Sequence, residues 1–148
     1  IQEQDPRSVK VRHCCFCFVV QTDFIMRSNT ETRVVHCSSE QDYHQAIESA
    51  GDRLVVVDCF AEWCPPCRKI APVVEALARE HPEILFVKVD VDQVPTIKSI
   101  LGVFAMPSFY FFKDGARAGS FMGANESMLR RGIANDGRVG ICSSCVIQ

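Results

Sequence analysis

Apolar residues recur along this chain with two spacings, one suited to strands and one to helices. Arg33–Cys37 is a short β-rich run. Ser38-x-x-Gln41 has the form of a capping box, in which a Ser hydroxyl accepts from an otherwise unpaired helix N–H. Tyr43, Ala46, Ile47 and Ala50 then repeat at helical spacing, and Gly51 stands where a helix would stop. Leu54–Phe60 is a continuous apolar run broken by Asp58, the pattern of a strand covered on both faces. A helix with Ile70, Val73, Val74 and Leu77 on one face follows, and Pro72 inside it predicts a kink. Ile84–Val91 is a second buried strand, Thr96–Leu101 a short helix closed by Gly102, and Ser108–Phe112 an aromatic strand. Lys113-Asp114-Gly115 turns the chain into Ala116–Phe121 as a hairpin, and Asn125 caps a last helix to about Ile133.

Strand-helix alternation closed by a hairpin and a helix predicts an α/β domain, a central mixed β-sheet with helices on both faces. The pattern holds over residues 30–135 and contains no internal repeat. Residues 1–29 are expected to be an extension outside the fold, disordered or upstream of the native start; Met26 lies just before the first regular element. Residues 136–148 are expected to be a flexible tail. At 148 residues there is room for one ordinary core. A net charge of −2 without a Lys/Arg cluster argues against nucleic acid as a partner. No stretch reaches the roughly 18–20 apolar residues of a membrane span. Cys14–Val20, after Lys10, Arg12 and His13, has the makings of a signal-peptide core, but no small-x-small cleavage site follows it.

The nine cysteines change the picture. Their spacing is not that of a small secreted disulfide scaffold, so most read as free thiols in a reducing compartment. Cys37 and Cys59 fall on strands and read as small core side chains. His36, His44 and His81 show no partner pattern and read as surface or packing residues. Cys64 and Cys67 are different. They lie in Trp63-Cys64-Pro65-Pro66-Cys67, between an apolar strand and an amphipathic helix. A thiol at a helix N-terminus ionises more easily, and a partner one turn on can attack it. That makes Cys64 the candidate nucleophile and Cys67 the resolving thiol. First-turn prolines lose an N–H that has no helical partner, and two in a row stiffen the loop. Burial of Asp58 should raise its pKa.

Val57–Cys67, Val87–Asp90, Ala105–Phe109, Phe111–Gly115 and Phe121–Asn125 stand in an order that resembles the thioredoxin family over roughly residues 30–135. Val57-Asp58-Cys59-Phe60-Ala61-Glu62-Trp63-Cys64-Pro65-Pro66-Cys67 resembles its active-site segment, and Val87-Lys88-Val89-Asp90 the strand that follows. Ala105-Met106-Pro107-Ser108-Phe109 looks like its cis-proline loop. Phe111-Phe112-Lys113-Asp114-Gly115 and Phe121-Met122-Gly123-Ala124-Asn125 are similar to its C-terminal hairpin in the eukaryotic style. Two residues depart: the family usually has Gly at Pro65 and an aromatic at Cys59. The Trp-Cys-Pro-Pro-Cys centre is similar to that of the tryparedoxins.

The resemblance implies a thioredoxin fold and a protein-disulfide reductase that works through a redox-active Cys64–Cys67 disulfide, with no bound cofactor or metal. Reducing equivalents would come indirectly from NADPH through a thioredoxin reductase-like enzyme, and the substrates would be disulfide-containing proteins. It places Asp58 beneath the disulfide as the acceptor of the Cys67 proton, with Lys88 tuning it; the alternative is a structural Asp–Lys pair. It implies a cis Pro107 and a substrate surface of Trp63, Pro66, Met106, Pro107 and Gly123. The expected location is cytoplasmic. A secretory disulfide oxidase or isomerase, and a non-catalytic binding module, remain the alternatives.

The final Cys145-Val146-Ile147-Gln148 has the form of a CaaX box, with Gln favouring farnesyl. Cys142 is a second lipid candidate, and one lipid alone holds a protein only marginally to a membrane. The expectation is a tether to a cytosolic membrane face. A second redox CxxC or an inert tail are the competing readings.

Overall fold

A computed structural model describes residues 33–139. The elements are β1 (Val34–Cys37), α1 (Glu40–Ser49), β2 (Val55–Phe60), α2 (Pro65–Glu80), β3 (Leu85–Asp90), α3 (Pro95–Leu101), β4 (Ser108–Lys113), β5 (Ala116–Met122) and α4 (Glu126–Ala134). The five strands form one sheet in the order β1-β3-β2-β4-β5. β1, β3 and β2 run parallel, and β4 and β5 join antiparallel. The expected mixed sheet with helices on both faces is therefore present.

Alternation along the strands sorts the core into two layers. Val55, Val57 and Cys59 of β2 pack with Val87 and Val89 of β3 and with Tyr43, Ala46, Ile97 and Leu101 of α1 and α3. Val56, Phe86, Phe109 and Phe111 point the other way, toward Ile70, Val74, Leu77 and Leu129 of α2 and α4. Asp58 has the parity of this second layer. In register it pairs with Lys88 of β3 and Phe109 of β4. Lys88 in turn pairs with His36 of the edge strand β1.

The first helix starts one residue later than the capping-box pattern predicts. Ser39, not Ser38, is the N-cap, and its hydroxyl accepts from Asp42 N–H at 3.1 Å. The Asp42 carboxylate accepts from Ser38 N–H at 3.0 Å, so the reciprocal role falls to Asp42 and not to Gln41. With Ser39 as N-cap, Asp42 holds the third helical position, whose side chain turns back toward the helix start. Asn125 caps α4 as expected, accepting from Met128 N–H at 3.0 Å. α2 runs as one helix through Pro72. The hairpin loop is Asp114-Gly115, with φ of 52° and 73°, the left-handed pair that a two-residue turn between twisted strands requires.

The described fold continues past residue 135. Gly137 and Val139 are buried, and Val139 joins the α2–α4 layer. Gly119 of β5 has no room for a side chain, because a Cβ there would meet the Gly137 carbonyl and the Val139 side chain. The expected flexible segment thus begins with residues that pack against β5. Cys14–Val20, Cys142 and Cys145 lie outside the described residues.

Candidate active site at the start of α2

β2 ends at Phe60, and a short turn carries the chain into α2. Cys64 N–H closes that turn on the Ala61 carbonyl at 3.1 Å. Cys64 is the N-cap of α2, and Pro65 and Pro66 fill the first helical positions, where no helical N–H bond is lost. Cys64 and Cys67 form a disulfide with Cα atoms 5.3 Å apart. Cys64 Sγ also accepts from Cys67 N–H at 3.3 Å. Both residues are nearly covered, at 3 % and 5 % exposure, so accessibility does not rank them as nucleophiles. Position distinguishes them: Cys64 Sγ sits at the helix cap and accepts the Cys67 N–H, at the positive end of the helix dipole.

Asp58 lies in β2 with 2 % exposure, and its Oδ1 has no hydrogen-bond partner. Burial pushes its carboxyl up to about 7, against the opposing pull of the Lys88 ammonium. No hydrogen bond joins Asp58 to Cys67, as expected for a disulfide sulfur with no proton to donate. Lys88 Nζ stands over the Phe60 ring, 4.5 Å from its centroid, and not against the carboxylate.

The Met106–Pro107 peptide bond is cis. Met106 packs on the same apolar cluster that holds Cys64 and Cys67. Among the described residues, neither its main-chain N–H nor its carbonyl makes a hydrogen bond. Pro107 carbonyl accepts from Gly123 N–H at 2.8 Å, which brings Gly123 beside this loop. Gly123 has φ of 96° with open space where a side chain would stand, so glycine serves both the backbone and an uncovered surface. Trp63 is 63 % exposed, and its Nε1 donates to Asp92 Oδ2 at 2.7 Å. Asp92 is a member that the sequence did not announce. Its reach to an indole 29 positions away is set by the fold, not by any local pattern. Phe104, 81 % exposed just before the Met106 loop, was equally silent in the sequence.

Cys37 and Cys59 are buried free thiols, as their strand positions suggested. Burial raises the Cys37 thiol to about 11 and pushes Cys59 higher still, with the Asp58 charge adding to the latter. Neither is a competing nucleophile. His44 and His81 have carboxylate neighbours that the sequence pattern did not reveal: Glu40 at 3.6 Å and Glu83 at 3.0 Å. Among the described residues no His/Cys/Asp/Glu group is arranged to hold a metal.

The family description "Thioredoxin" matches residues 34–135. The chain is 41 % identical to thioredoxin of Ictalurus punctatus over 102 residues, covering 68 % of this chain and 95 % of that one. It is 40 % identical to thioredoxin of Homo sapiens over 100 residues, with 68 % and 95 % covered. The solved structure of Fasciola hepatica thioredoxin is 48 % identical, with a TM-score of 0.68 over 69 % of this chain and 98 % of that one.

Proposed function

The chain belongs to the thioredoxin family of thiol-disulfide oxidoreductases, and on that premise we propose that it reduces protein disulfides through Cys64 and Cys67. The observation that carries this is the Cys64–Cys67 disulfide at the N-terminus of α2. In the reduced protein, Cys64 thiolate attacks one sulfur of a substrate disulfide. A mixed disulfide forms, and the first substrate thiolate leaves and takes a proton from solvent. Cys67 gives its proton to the Asp58 carboxylate and attacks Cys64 Sγ. The Cys64–substrate bond breaks, the Cys64–Cys67 bond forms, and the second substrate thiolate takes up a proton. Two electrons pass from the dithiol to the substrate.

The unpaired main-chain groups of Met106 support a role in pairing with an extended substrate segment beside cis Pro107. Trp63, Pro66 and Gly123 complete the surface. A thioredoxin reductase-like enzyme, drawing on NADPH, returns the disulfide to the dithiol, and the setting is the cytoplasm. If Gln148 is the last residue of the cellular protein, a prenyl group on Cys145 and an acyl group on Cys142 tether it to the cytosolic face of a membrane.

Insulin reduction tests the chemistry. Cys64→Ser should abolish it, and Cys67→Ser should accumulate mixed disulfides; full activity in Cys64→Ser overturns the assignment. The tether is tested by fractionation, where Cys145→Ser should move from membrane to soluble fractions. Identical partitioning of the two proteins removes it.

A further inference from the structure

His36, Lys88 and Asp58 occupy one row across three adjacent strands, from the exposed edge β1 through β3 to the buried β2. Their shared register puts all three side chains on the α2–α4 face of the sheet. We propose that His36 is a positioning residue at the solvent end of this row, and that its charge sets, through Lys88, how readily Asp58 takes up the proton of the resolving step. The proposal rests on Asp58 being the proton acceptor.

The charges on the row decide the sign. Lys88 from β3 and Glu75 from α2 are the charged groups that face His36, and α1, which also packs on β1, adds none. Lys88 is the charged group that faces Asp58. Partial burial and then Lys88 hold the imidazole below its ordinary value, while Glu75 pulls the other way. At neutral pH the ring is therefore uncharged, and Lys88 alone acts on Asp58. Protonating the ring puts a second positive charge in the row and favours the Asp58 carboxylate. A negative charge at position 36 does the opposite: it offers Lys88 a competing partner at the edge and favours the neutral acid.

The experiment is a charge series at position 36 in the full chain: His36→Gln, His36→Arg and His36→Glu. The Asp58 carboxyl is titrated directly by carbon NMR, and the rate of substrate reduction is followed over the same pH range. Two strand spacings of about 4.8 Å separate the ends of the row. At that distance, with partial solvent screening, Arg should lower the Asp58 titration by about half a pH unit and Glu should raise it by about as much. Gln should match the parent at neutral pH and part from it only where the imidazole takes its proton. Superimposable titrations, or equal shifts of one sign for Arg and Glu, overturn the proposal, since a packing defect does not follow charge. Asp58→Asn separates the acceptor role of Asp58 from the charge coupling along the row. An unchanged pH profile for the reaction in that variant removes Asp58 as acceptor, while the NMR series still reports on the row.

Discussion

Asp58 shows what one side chain can set against the fold that holds it. The buried carboxyl titrates at about 7, whereas the ordinary value is 3.8. The folded protein therefore keeps a proton that the unfolded chain has already lost. That contribution to stability is fully present below about pH 4 and disappears as pH rises through 7. Asp58→Asn lacks it. Relative to the parent, the unfolding free energy of this variant should rise by a few kcal/mol between those limits and stay level above them. Parallel stability curves in denaturant titrations would show that the carboxyl is not the source. This residue was legible because a carboxylate inside an apolar run has few places to go. Asp92 was not, because it acts on Trp63 from a loop beyond β3. Asp92→Ala should free the indole and lower its fluorescence anisotropy, a clean signal because Trp63 is the one tryptophan in the chain. Unchanged anisotropy would mean that packing, not the hydrogen bond, holds the ring.

At the scale of elements, caps and close approaches determine where helices start and how near they come to the sheet. Asn125→Ala removes the bond to Met128 N–H and should cost about 1 kcal/mol. Gly132 of α4 lies directly against the Phe111 ring, where an added Cβ would collide with ring carbons. Gly132→Ala gains in helix propensity yet should destabilise by about 1–3 kcal/mol, since overpacking outweighs propensity. A more stable alanine variant in thermal unfolding would mean that the ring moves aside at little cost. Periodicity revealed these helices, because an apolar stripe must face the sheet wherever the helix begins. Their first residues were less legible: Ser38 and Ser39 are chemically equivalent caps, and no local pattern ranks one above the other.

For the whole molecule, the layer order followed from the alternation of strands and helices, since connections of that length cross a parallel sheet in few ways. The end of the domain did not follow. Gly137 and Val139 carry no periodic signal, and their burial depends on Gly119 leaving space on β5. A chain ending after residue 135 should lose roughly 1.5–3 kcal/mol, the scale of one buried valine, while one ending after residue 140 should match the parent. Equal stability of the two truncations would show that this return is ornamental. Cys59 offers a way to watch the assembled structure at work. Its thiol has no exposed surface and sits in the strand that leads into the active site. A thiol reagent can reach it only when β2 opens, and in a Cys37→Ser protein it is the one buried free thiol left among the described residues. Labelling of Cys59, read on its own peptide by mass, is thus a clock built into the chain. Its rate under native conditions counts openings of the sheet centre, and comparing dithiol and disulfide forms measures how far the state of the Cys64–Cys67 pair governs the breathing of the protein around it.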